Sequence, residues 1–197
     1  MTDENVLIVQ ADSADASLGW ATLGERRWRC TVGAGGIRED KVEGDSATPV
    51  GEFPLRRIYY RNDLVVLPKV ALPARPIGEH DGWCDDPRSP TYNRLVNIPN
   101  EWSAEKMWRE DGLYDLVVVV GYNDDPPEGE WGSAIFLHIA RPDYSPTEGC
   151  VACAREDLLA LLKDATDVNL AQRFTPMQRR EISGIAWKTL DEAEDLI

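Results

Sequence analysis

Histidine and cysteine are scarce in this chain, at two and four of 197 residues. Four cysteines spread over such a length do not make a disulfide framework, so the fold must rest on a hydrophobic core. No apolar run approaches the ~20 residues that cross a bilayer, which excludes a helical membrane span. Basic residues are outnumbered 21 to 35, for a formal net charge of −14. An acidic surface repels phosphates, and no basic patch with interleaved aromatics offsets it, so nucleic acid is excluded as a partner. The start, Met1-Thr-Asp-Glu-Asn, is acidic and leads into the strand-like Val6-Leu-Ile-Val-Gln10. It lacks the basic opening and apolar stretch of ~7–15 residues that make a signal peptide. Internal repeats and low-complexity segments are also missing.

The remainder has the composition of a soluble globular protein, 43% hydrophobic and 28% charged, long enough for one domain with a sizeable core. Short strands are predicted over residues 5–11, 20–23, 28–32 and 53–60, with Cys30 a core residue in the third. Gly33-Ala-Gly-Gly36 lacks the spacing and the Lys-Ser/Thr of a phosphate loop and reads as a turn. Residues 64–94 are proline-rich and form a long excursion, either a lid or binding wall or a well-packed surface cover, with His80 a solvated loop histidine. A short helix is predicted over 103–111 with Ser103 as N-cap. Residues 115–121 read as a central strand buried on both faces. A helix is predicted over 154–163, then a last strand over 167–170. Thr175, Pro176 and Gln178 make a capping box for a C-terminal helix whose apolar stripe suits packing on the domain or on a second copy in a homo-oligomer. The fold class is mixed and mainly β, with a few short helices and a C-terminal helix.

Chemistry concentrates between Phe136 and Cys150. Residues 133–140 read as a strand whose alternation sets Ala134, Phe136, His138 and Ala140 on one face. A loop holding two prolines returns to Gly149-Cys150, just ahead of a helix whose N-terminal dipole favours a thiolate. Gly149 lets backbone approach a substrate, and amides around Gly149-Cys150 supply candidate oxyanion donors. A Cys–His pair with these supports is the minimum for acyl transfer through a thioester. The order, His before Cys, excludes the papain arrangement. Three other readings remain at this point. Cys150-Val-Ala-Cys153 has redox-pair spacing, although such a pair belongs to a doubly wound layout. Cys150, Cys153, His138 and Cys84 make a loose zinc set lacking a second close pair. A buried structural cysteine beside a core histidine is the plain alternative. Cys153 reads as a packing residue or a resolving thiol.

His138, a loop and Thr147-Glu-Gly-Cys150-Val, preceded by Thr48-Pro-Val-Gly-Glu-Phe53, resemble the two markers of the L,D-transpeptidase catalytic-domain (YkuD-like) family, in a Thr-Glu-Gly-Cys branch. The resemblance covers roughly residues 5–170. It departs from the usual pattern in Glu148 for histidine, in the short spacing from His138 to Cys150, and in Ala152. It implies a β-sandwich or barrel, a catalytic domain over residues 1–171 and a helical extension over 172–197. It implies Cys150 as nucleophile, His138 as base, and a peptidoglycan stem peptide as substrate, with no metal or organic cofactor. The family usually works in the periplasm or cell envelope, which disagrees with the N-terminus, and the compartment stays open. Crosslinking, hydrolysis by an L,D-carboxypeptidase or endopeptidase, and a catalytically silent binding module all fit that resemblance. Substrate contacts are expected from Thr147, Glu148, Arg57, Arg141, Tyr144 and Trp83. Glu148 is expected to bind a cationic amine or to brace its loop, and to raise the thiol pKa.

Overall fold

Apolar residues at every second position build most of the main sheet. The structure, a computed structural model, describes residues 6–13, 16–165 and 174–176. Strands β1 (Leu7–Ala11), β2 (Leu18–Leu23) and β3 (Arg26–Thr31) form an antiparallel meander. Leu7, Val9, Ala21, Leu23, Trp28 and Cys30 are buried together on one of its faces. Then come β4 (Ile37–Arg38) and β5 (Thr48–Pro49), which pair with each other in parallel. They are followed by β6 (Leu55–Tyr60), β7 (Ala74–Pro76), β8 (Asp81–Cys84), β9 (Leu95–Asn97) and β10 (Ala104–Lys106). The chain continues through β11 (Leu116–Val120), β12 (Phe136–Ile139), β13 (Val151–Cys153), the helix α1 (Arg155–Asp164) and β14 (Phe174–Pro176).

Nine strands form one sheet in the order β14-β1-β2-β3-β13-β12-β11-β6-β7, and β10-β8-β9 form a small antiparallel sheet of their own. The predominance of β-structure matches the sequence reading. Strand β11 is buried at all five positions, as its unbroken apolar run predicts. Leu116, Val118 and Val120 join the core on one face, while Val117 and Val119 join a second core on the other. Each such side chain contributes roughly 1.5–3 kcal/mol when fully buried. The first core is closed by Leu158, Leu161 and Leu162 of α1. The second, with Tyr59, Trp83, Met107, Tyr114 and Phe136, lies between the main sheet and the small sheet of β8 to β10.

Two local readings are corrected. Residues 103–111 are not a helix: β10 occupies 104–106 and pairs antiparallel with β8, Glu105 opposite Trp83. Pairing with a neighbouring strand overrides a weak helical propensity. Thr175 and Pro176 are not a helix start: they lie in β14, whose backbone pairs in parallel with β1. The remainder of the expected C-terminal helix and the expected strand over 167–170 fall outside the described residues.

Candidate active site

Strands β12 and β13 are neighbours and run parallel, with His138 opposite Ala152 and Leu137 opposite Val151. Opposed residues share a face, so Cys150, one step before β13, lies beside Phe136 on the same face as His138. The offset between the two is two strand residues, about 6–7 Å along the sheet. The Phe136 N–H donates to Cys150 Sγ at 3.4 Å, and the thiol donates to the Ala134 carbonyl at 3.1 Å. Both reactive side chains open into one cavity of about 370 Å³. Cys153, three residues on, faces the other core opposite Cys30, so it is not placed to resolve an oxidised Cys150. Cys84 lies in β8 of the small sheet.

His138 Nδ1 is 2.9 Å from the Ile139 carbonyl. A carbonyl only accepts, so Nδ1 carries the proton and Nε2 is the basic nitrogen. The Tyr114 ring meets the imidazole edge to face at 5.3 Å and fixes its plane. With His138 only 6% exposed, burial pulls its pKa down to about 4, and Arg109 and Arg141 push the same way. Cys150, 8% exposed, is pushed up to about 12 by burial, with Glu105 and Glu148 adding to the rise. The resting pair is therefore a neutral imidazole and a neutral thiol. That corrects the expectation of a dipole-stabilised thiolate. Cys150 does not cap a helix, because β13 intervenes and α1 begins at Arg155.

Two threonines brace the cysteine loop. Thr147 Oγ1 donates to the Cys150 carbonyl at 2.6 Å and accepts from the Gly149 N–H at 3.3 Å. Thr48 Oγ1 accepts from the Gly33 N–H and donates to the Gly149 carbonyl, both at 2.9 Å. The Thr-Pro turn and the Gly-Cys loop, a hundred residues apart in sequence, are thus joined by one buried hydroxyl. Gly149 has φ +123°, and a Cβ there would come 2.8 Å from the Ala47 carbonyl oxygen. The close approach that requires glycine is to the residue 47 backbone, and a side chain there would force Cys150 out of place.

Of the expected substrate contacts, Thr147, Glu148 and Arg141 line the cysteine cavity. Arg57 and Trp83 line a second cleft instead. Trp83 packs at 5.0 Å against Phe136, beneath the site. Tyr144, at φ +53°, turns toward Cys153 and Asp157, on the α1 side of the sheet. The sequence reading missed Glu105, Arg109 and Tyr114, all of which line the cavity. Tyr114 donates to Glu105 at 2.9 Å, Arg109 bonds the same carboxylate at 3.1 Å, and burial raises the Glu105 pKa. Strand alternation over 104–106 was the signal for Glu105, hidden by the helical reading. The excursion contributes Asp85 to the wall. It also supplies Asn93, whose Oδ1 accepts from Trp83 Nε1 at 2.9 Å and from the Ala134 N–H at 3.0 Å. His80 is exposed, as expected of a loop histidine.

A family model of the L,D-transpeptidase catalytic domain (YkuD) matches residues 8–171, and the chain belongs to that family. No curated protein and no solved structure matches it. Among the described residues no helix is long and apolar enough to cross a membrane.

Proposed function

We propose that the chain is a cysteine-dependent L,D-transpeptidase that acts on peptidoglycan stem peptides, with Cys150 as nucleophile and His138 as general base. The observation that carries this reading is the shared cavity of a thiol and an imidazole whose protonated nitrogen is turned to the Ile139 carbonyl. On attack, Sγ bonds to the carbonyl carbon of the third stem residue, and the thiol proton passes to Nε2 of His138. The C–N bond then breaks, and the imidazolium gives that proton to the departing D-alanine amine. An acceptor amine next attacks the thioester and loses a proton to His138, and the cysteine leaves to be reprotonated. Water in place of the amine gives hydrolysis. A neutral imidazole is the form a base needs, and a pKa near 4 keeps it neutral at pH 7. The Cys150 amide is the proposed oxyanion donor, since Thr147 already occupies the Gly149 amide. Arg141, Thr147 and Glu148 are the proposed substrate contacts at the mouth. Residues 1–171 are the proposed catalytic domain, to which β14 of the extension over 172–197 adds an edge strand.

Intact-mass spectrometry after incubation with a carbapenem tests the reading. Wild type is expected to gain one adduct and Cys150→Ser none. Absence of an adduct on reduced wild-type protein would overturn the transpeptidase reading in favour of a silent binding module.

A further inference from the structure

The second cleft, of about 420 Å³, collects four of the chain's 21 basic residues around Tyr59, Trp83 and a few aliphatic side chains. Arg56, Arg57, Arg75 and Arg94 line it, against the single carboxylate of Asp124. Such a concentration is unexpected on a chain with a net charge of −14.

Its construction is specific. In a regular strand Arg56 and Arg57 would point to opposite faces. Here the pairing of β6 with β11 runs Val119 to Arg57 and then Val120 to Leu55, so Arg56 is the extra residue of a bulge. The bulge turns both guanidinium groups into one cleft. Gly121 leaves room for them, because a Cβ there would sit 2.6 Å from Arg56 Nε. Arg56 is held by both oxygens of Asp124 at 2.7 and 3.1 Å. Arg75 is held by Asp81 at 2.5 Å and lies over the Tyr59 ring at 5.5 Å. Arg57 makes no hydrogen bond or ion pair among the described residues, although it stands between charged neighbours of its own sign. Like charges gathered in a concavity raise the local potential, and guanidinium forks match phosphate and carboxylate oxygens.

We infer that this cleft is a binding site for a small organic anion with at least two negative charges, the charges meeting Arg57 and its neighbours and the body lying over a floor closed by the buried Tyr59 and Trp83. The volume is that of a small-molecule site. The site is separate from the cysteine cavity and does not depend on the reaction proposed there.

Isothermal titration calorimetry with phenyl phosphate and with isophthalate is the test, benzyl alcohol serving as the neutral probe. Saturable binding of either dianion, weakening as sodium chloride rises, is expected, and benzyl alcohol is expected to give none. The dianion that binds more tightly identifies phosphate or carboxylate as the natural group. Arg57→Glu is expected to weaken binding about tenfold or more, Arg57→Gln to a smaller extent, and Arg27→Glu, the same charge change on β3, to leave it unaltered. The variants are checked for folding by circular dichroism. No saturable heat with either dianion would overturn the inference. So would affinity that survives in Arg57→Gln and Arg57→Glu, or that falls equally in Arg27→Glu.

Discussion

The cysteine cleft keeps its thiol and imidazole neutral and lines them with four acids against two arginines, whereas the arginine cleft gathers four cations against one acid and, among the described residues, leaves Arg57 without a hydrogen bond or ion pair. Trp83 stands between them, lining the second and packing against Phe136 beneath the first. The first cleft is made by regular parallel register, which puts alternate side chains of adjacent strands on one face. The second is made by a break in register at Arg56. Regular register suits a reaction that needs two groups at a fixed offset, and a bulge suits binding that needs like charges crowded together.

The comparison is broken most severely by disabling the first cleft alone. His138→Ala is expected to slow carbapenem acylation about 10²–10⁴-fold, followed by mass spectrometry, while binding of phenyl phosphate or isophthalate is undisturbed. Loss of both would show the clefts to be one unit. Thr48→Val leaves the buried Gly33 N–H and Gly149 carbonyl without their shared partner. Thermal or urea unfolding is expected to show a loss of about 2–4 kcal/mol, with acylation impaired and the arginine cleft intact.

Acid sharpens the contrast. The unfolded chain takes up a proton at His138 near pH 6.5, and the folded chain only near 4. Stability should therefore fall as pH drops through that window, by up to about 3 kcal/mol. Urea unfolding at several pH values reads this slope, and His138→Phe should flatten it. The guanidinium groups of the other cleft do not titrate there. The smallest effect is expected from Glu105→Gln, which removes a negative neighbour of the thiol. Iodoacetamide alkylation of Cys150 at mildly alkaline pH should quicken about three- to tenfold. An unchanged rate would remove Glu105 from the control of Cys150.

Much of the first cleft was legible in the sequence. Alternation from Phe136 to His138 and the glycine before Cys150 are local signals, and the structure keeps them. The run 116–120 announced a strand buried on both faces for the same reason. Glu105 was legible only once 104–106 is read as a strand, which its pairing with β8 makes it, whereas no local pattern marked Arg109 and Tyr114 as cavity residues. The state of Cys150 was misread because burial outweighs a dipole that the intervening β13 holds at a distance. The arginine cleft was the least legible, since two consecutive arginines give no hint that a bulge will align them.

The parallel pairing of β12 with β13 has a consequence for how this site can vary. The separation of His138 and Cys150 is set by rungs of the backbone ladder, with Thr147 and Gly149 holding the cysteine in place, rather than by the length of the loop tip between them. The connecting segment carries Arg141 and Glu148 at the mouth of the cavity. Spacing and electrostatic tuning are therefore written in separate parts of the chain, the first in the ladder and the second in the loop, where Arg141 lowers the His138 pKa and Glu148 raises that of Cys150. The loop tip, residues 141–146, can be exchanged for one of different length or charge while the reacting atoms keep their spacing.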